Sequence, residues 1–91
     1  MTKYQIAETE TFQKKIKTKS FAFLYPKILD YVYPILSDNP YFGPNIKKLK
    51  GNYYKDVYRF RIGNHRLFYK IENNKIIVFI LDIAQRKDAY R

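Results

Sequence analysis

Five side chains in this 91-residue chain are spaced for work on an anion: Arg59, Arg61, Arg66, Arg86 and Tyr90. Arg59 and Arg61 alternate with Tyr58, Phe60 and Ile62. Residues two apart on a β-strand point to the same face, so with the aromatics turned inward both guanidinium groups stand on the outer face. Arg66 follows Gly63-Asn64, a dipeptide that supplies the positive φ values of a two-residue hairpin turn. The returning strand then lays Arg66 across from Arg61. Arg86 comes just after the last strand-like run. Guanidinium groups forced together repel one another, a cost a fold tolerates when an anion is to sit between them. Their planar fork matches phosphate in a bidentate way that lysine does not. Lys47, Lys48, Lys50, Lys55 and Lys70 surround the set, and their expected part is to steer and hold a nucleic-acid backbone.

The composition agrees with that chemistry and excludes others. The formal net charge is +10, and between Lys47 and Lys70 eight Lys or Arg face one acid, Asp56. A field of that strength on a small domain points first to nucleic acid, then to an acidic membrane or protein. There is no cysteine, hence no disulfide, thiolate metal site or cysteine nucleophile, in keeping with a reducing cytoplasm. One histidine and eight scattered acids argue against a metal site, and no cofactor is expected. The opening MTKYQIAETE lacks an apolar signal core, and no run reaches the roughly 18 apolar residues of a membrane span. With 46% apolar residues, ten Tyr and seven Phe, residues 1–91 are expected to form one domain with a modest core.

The elements that must position the arginines follow from periodicity. Residues 3–8 alternate weakly, with Tyr4 and Ile6 on one side, and predict a short first strand. Thr9 or Thr11 can cap a first helix that carries Phe12 and Ile16 and ends near Lys19. Phe21, Leu24, Tyr25, Ile28, Val32, Ile35 and Leu36 form the apolar stripe of a second helix, roughly 21–37. Pro26 suits its first turn, whereas Pro34 removes a donor and is expected to kink or shorten its end. Lys47 to Gly51 reads as a basic loop or a rim beside the sheet. Strands are predicted over 53–62, 65–72 and 75–84, the last two joined by a turn at Asn73-Asn74. The run from Ile76 to Leu81 is apolar without alternation, the pattern of a central strand covered on both sides. The order β-α-α-β-β-β predicts an α+β fold, with two N-terminal helices on one face of a small antiparallel sheet. The first strand joins at an edge, and the other face is left to the cations.

Three segments resemble the RelE/ParE superfamily of bacterial toxins from type II toxin–antitoxin pairs: NPYFGPNIKKLKG, VYRFRIGNHRLFYKI and FILDIAQRKDAYR. The ordered set that carries the resemblance is Leu-Lys-Gly, then Arg-x-Arg-x-Gly-x-x-Arg-x-x-Tyr, then Arg-x-x-x-Tyr. It spans nearly the whole chain and is strongest from Asn39 to Tyr90. The resemblance implies a fold like that of microbial ribonucleases. It also implies an acidic antitoxin partner, in a heterotetramer as one arrangement, and no membrane partner. The RelE branch implies a ribosome-dependent endoribonuclease that cuts mRNA and inhibits translation. Its basic residues on adjacent strands correspond here to Arg59, Arg61 and Arg66, its arginine after the last strand to Arg86, and its terminal tyrosine to Tyr90. His65 departs from the pattern, standing where RelE itself resembles Tyr-Arg.

Metal-independent cleavage of RNA by its own 2′-OH needs a base, cations for the charge growing on the phosphate, and an acid for the leaving oxygen. The arginines suit the second task. An arginine stays protonated and is a poor base, which leaves Tyr90, His65 or a ribosomal group. Surrounding cations lower a tyrosine's pKa, and histidine ordinarily titrates near neutrality. Alternation puts His65 with Leu67 and Tyr69 on the core side, at a strand end from which it can reach round the edge. Two other readings share the same residues: a ParE-like toxin that inhibits DNA gyrase, and a catalytically inactive basic protein that binds nucleic acid or an antitoxin.

Overall fold

The structure, a computed structural model, describes residues 3–51 and 55–88. Five strands form one sheet in the order β1-β5-β4-β3-β2, with β1 Gln5–Glu8, β2 Ile46–Lys48, β3 Val57–Ile62, β4 His65–Glu72 and β5 Ile77–Gln85. The three long strands form the expected antiparallel meander, and β1 joins at an edge. Two features correct the expectation. β1 runs parallel to β5, which makes the sheet mixed. The basic stretch after Asn45 is a fifth strand, β2, antiparallel to β3. The α+β class stands, with the helices over one face of the sheet.

Thr9 fixes where the first helix, Glu10–Ile16, begins. Its hydroxyl accepts from the Phe12 amide at 3.2 Å and donates to the Ile80 carbonyl at 2.8 Å. One side chain thus caps the helix and ties it to β5. The helix ends at Ile16, earlier than the expected Lys19. Phe12 and Ile16 face the core, while Glu10 and Lys14 pair on the solvent side at 2.9 Å.

The second helical run spans residues 22–38 and is not uniform. A 3-10 turn, Ala22–Leu24, leads into an α turn, Tyr25–Lys27, then a π segment, Ile28–Val32, then an α segment, Tyr33–Asp38. Pro26 lies in the first turn as expected. Pro34 neither ends nor shortens the helix. It has no N–H to offer the preceding turn, and the turn before it widens, so that the Tyr33 amide bonds the Ile28 carbonyl five residues back. The stripe faces the sheet: Leu24, Ile28, Val32 and Leu36 are buried against Phe60, Ile62, Leu67, Tyr69, Val78, Ile80 and Ile83.

Tyr69 anchors the middle of this core. It is fully buried, stacks on Tyr58 at 5.7 Å, and its hydroxyl donates to the Pro40 carbonyl at 2.7 Å. On the helix side, Glu8 Oε2 accepts the hydroxyls of Tyr25 at 2.8 Å and Tyr33 at 2.7 Å.

Strand bounds differ where turn chemistry was misread. β4 is as predicted. Tyr53 and Tyr54, the expected start of the strand before it, lie outside the described residues, and Lys55-Asp56 is a turn with Asp56 at φ +61°. The loop after β4 runs through Lys75 to Ile76, which takes φ +56°, so β5 starts at Ile77. The outer face of β5 is half-covered: Ile77, Phe79 and Leu81 keep partial exposure, while Val78 and Ile80 are buried. The expectation of full cover on both faces is not met there.

Burial raises the phenol pKa of Tyr33 and Tyr69, and for Tyr33 the Glu8 carboxylate adds to the effect. Tyr25 is raised by the same two causes, and Tyr41 is pushed up from 10.0 to about 12, chiefly by desolvation. A phenol whose folded pKa is raised stabilises the fold fully below the unfolded value and loses that contribution as pH climbs towards the folded one. Thermal melting is therefore expected to hold level up to pH 10 and to fall steadily between pH 10 and 12. Tyr69→Phe is expected to blunt that fall and to cost about 1–2 kcal/mol at neutral pH, by leaving the Pro40 carbonyl unpaired. A flat melting temperature across the alkaline range would contradict the burial of these hydroxyls.

Candidate nucleic-acid interface

Strand pairing sets which cations are neighbours. Only Gly63 in the β3–β4 turn takes positive φ, +55°, the pattern of a turn with glycine at its first central position. From that turn Ile62 pairs with His65, Arg61 with Arg66, Phe60 with Leu67, and Arg59 with Phe68. Arg61 and Arg66 are thus directly opposed on the face away from the helices. Lys47 on β2 pairs with Arg59 and extends the cationic face by one strand.

The four arginines are held differently. Arg66 is only 6% exposed, and its Nη1 donates to the carbonyls of Gly63 and His65 at 2.9 Å each. It therefore clamps the turn that it follows. Arg59 Nη1 donates to the Asn45 carbonyl at 3.1 Å, an oxygen that also accepts the Arg61 amide at 2.8 Å. The Nε atoms of Arg59 and Arg66 are buried without a hydrogen-bond partner, a cost that an incoming acceptor would relieve. Arg61 and Arg86 are exposed. Among the described residues two ion pairs form, Lys14–Glu10 and Lys15–Asp82, and neither involves an arginine.

Arg86 opens a short 3-10 turn, Arg86–Asp88, directly after β5. The β4–β5 pairing runs to His65 and Gln85, and the Arg86 amide extends it by donating to the Asn64 carbonyl at 2.7 Å. Asn64, His65, Gln85, Arg86 and Lys87 line one surface cavity of about 520 Å³. The hairpin turn and the chain after the last strand thus share one site. His65 is half-buried on the core-side row, bracketed by two rings: Phe21 at 5.8 Å and Phe23 at 5.7 Å, both edge-on.

Not every expected residue gathers there. Tyr90 lies outside the described residues. Lys48 sits on the core-side row, its Nζ 6.0 Å over the Tyr58 ring. Lys70 is exposed on the cationic face but pairs with Val57, four residues and roughly 13 Å along β4 from Arg66. Lys50 and Lys55 are exposed between β2 and β3. Sequence reasoning missed Asn45, Asn64, Gln85 and the two phenylalanines. The carbonyls of Asn45 and Asn64 act through the backbone, which leaves no trace in side-chain pattern. Phe21 starts an apolar stripe, and Phe23 falls outside its spacing.

The two roles of the arginines separate in experiment. Arg66→Ala removes the bonds to the Gly63 and His65 carbonyls and is expected to cost about 2–3 kcal/mol in urea unfolding. Arg86→Ala is expected to change stability by no more than about 0.5 kcal/mol, and Arg61→Ala, which relieves like-charge opposition, to leave it equal or slightly higher. Equal losses in all three would remove Arg66 from its place as the clamp.

The model of the family described as "ParE toxin of type II toxin-antitoxin system, parDE" matches residues 9–90. Solved structures with a similar fold include the toxin–antitoxin complex RelBE2 from Mycobacterium tuberculosis, 24% identical over 97% of each chain with a TM-score of 0.76. A mutant of the E. coli toxin RelE in the free state is 19% identical over 96% of this chain and 87% of its own, with a TM-score of 0.72. The YoeB/ParE toxin from Agrobacterium tumefaciens is 16% identical over 89% of this chain and 96% of its own, with a TM-score of 0.70. No match was found among curated proteins. The matched profile covers both helices, the meander and the cationic site, and the chain belongs to the RelE/ParE superfamily of toxins of type II toxin–antitoxin systems.

Proposed function

We propose that this toxin is an endoribonuclease that cuts mRNA on the ribosome, without a metal, by attack of the RNA 2′-oxygen on the adjacent phosphate. The observation that carries this reading is the cavity where His65 and Arg86 meet, beside the opposed Arg61 and Arg66. Cations fixed before the substrate arrives stabilise the charge that develops on the phosphate. In this reading Arg61 and Arg86 hold the phosphate, and Arg66 orients the turn. Among the described residues that line the cavity, His65 carries the imidazole suited to proton transfer. Tyr90, four residues beyond Arg86, is the second candidate for that task. Lys47, Lys50 and Lys70 extend the positive field along which RNA is steered.

An acidic antitoxin is the natural partner of such a surface, because it neutralises the same cations. One of the structures named above is a toxin–antitoxin complex, which supports a complex of that kind here, working in the cytoplasm. A second reading, a gyrase-directed toxin that does not cut RNA, is favoured by one observation: the matching family model is that of ParE toxins.

Induction followed by primer extension on translated messages tests the choice. Cleavage within coding regions is expected, and Arg86→Ala is expected to reduce it on the order of 100-fold or more at an unchanged melting temperature. Growth arrest with gyrase-linked DNA damage and intact messages would reject the ribonuclease reading in favour of the second.

A further inference from the structure

Resting on the reading of the cationic cavity as an RNA site, we propose that Phe23 is a stacking platform for a nucleobase. It would hold one nucleotide by its base while the cavity cations hold the phosphate.

Phe23 is 66% exposed, although it adjoins the buried Leu24 in the first turn of the second helical run. It sits in the 3-10 turn Ala22–Leu24, which is pinned by the Leu24 amide on the Phe21 carbonyl at 2.9 Å. The Phe23 ring meets His65 edge-on at 5.7 Å and an interplanar angle of 74°. His65 in turn rests edge-on against the buried Phe21. One side of the Phe23 ring is therefore braced by His65, and much of the rest is open to solvent. His65 also lines the cavity with Arg86 and Lys87, so the open ring stands one side chain away from the phosphate-binding cations.

Single-stranded nucleic acid is held by this combination of a positive groove and an aromatic face, and every base offers a π-face to it. A rigid turn supplies the preorganisation that such a platform needs. The other highly exposed phenylalanine, Phe42 at 79%, has a different setting. It lies against Tyr41, whose hydroxyl donates to Asn73 at the opposite end of the β3–β4 hairpin. Position beside the cations, and not exposure alone, singles out Phe23.

The probe is a short single-stranded 2′-O-methyl oligoadenylate, which cannot be cut through its own 2′-oxygen. Binding to the full chain is followed by fluorescence anisotropy across a salt series. Phe23→Ala and Phe23→Leu are each expected to weaken binding about 5- to 100-fold, with the salt dependence unchanged. Phe23→Tyr is expected to bind as the parent does. Arg86→Ala is expected to lower both the affinity and the salt slope, because it removes a phosphate contact. The chain has no tryptophan, so F23W introduces a single indole whose emission is expected to be quenched when the probe saturates the protein. This readout stands even if an alanine variant folds poorly. Unquenched emission at saturation, or Phe23→Leu binding as tightly as the parent, overturns the platform and leaves the phosphate site intact. Absence of salt-dependent binding by the parent protein overturns the cationic reading, and the platform with it.

Discussion

The site depends on one register: Arg61 set against Arg66 across a turn made possible by Gly63. Side chains on a strand alternate between faces, so a slip of β4 by one residue would carry Arg66 into the core and Leu67 into water, and a slip of β3 would do the same to Arg61 and Phe60. The buried apolar row thus enforces the charged one. Arg66 reinforces the arrangement by bonding the carbonyls of the turn. The repulsion between the two arginines persists because the hydrophobic stabilisation of the sheet exceeds it. A domain of this size has little stability to give away, which makes the opposed cations a feature with a use.

The rest of the fold delivers side chains to that hairpin. β5 pairs along β4 to His65 and hands Arg86 to the turn through the Asn64 carbonyl. β2 adds Lys47, and the Asn45 carbonyl just before it receives both the Arg59 side chain and the Arg61 amide. Phe21, just before the second helical run, and Phe23, in its first turn, flank the histidine with their rings. Local and long-range contacts therefore meet at one end of the sheet, and the tyrosine-rich packing around Tyr69 and Pro40 stabilises the core behind it.

What could be read from the sequence, and what could not, has physical causes. The bounds of β4 and the opposition of Arg61 and Arg66 were legible because Gly63-Asn64 and strict alternation fix turn and face together. The stripe from Leu24 to Leu36 was legible through its spacing. β2 was not, since three residues with two lysines carry no periodic signal and the strand exists only through its pairing with β3. The parallel sense of β1 is likewise a tertiary choice. Asn73-Asn74 looked like a two-residue turn, but Ile76 adopts the left-handed region, which no propensity anticipates for a β-branched residue. Phe23 was passed over because it falls outside the three- and four-residue spacing of the stripe, and an aromatic off that stripe carries no sign of what it meets.

The widened turn ahead of Pro34 also governs alignment. A stripe repeated at every fourth residue overshoots an ideal α-helix by about 40° at each step. Leu24, Ile28, Val32 and Leu36 would then wind off a flat sheet before the helix ended. A turn closed five residues back holds more residues per revolution, so Ile28–Val32 rotates the stripe in the reverse sense and brings Leu36 home to full burial. The irregularity forced by one proline thus acts as a phase correction, keeping a four-residue rhythm in step with the sheet beneath it.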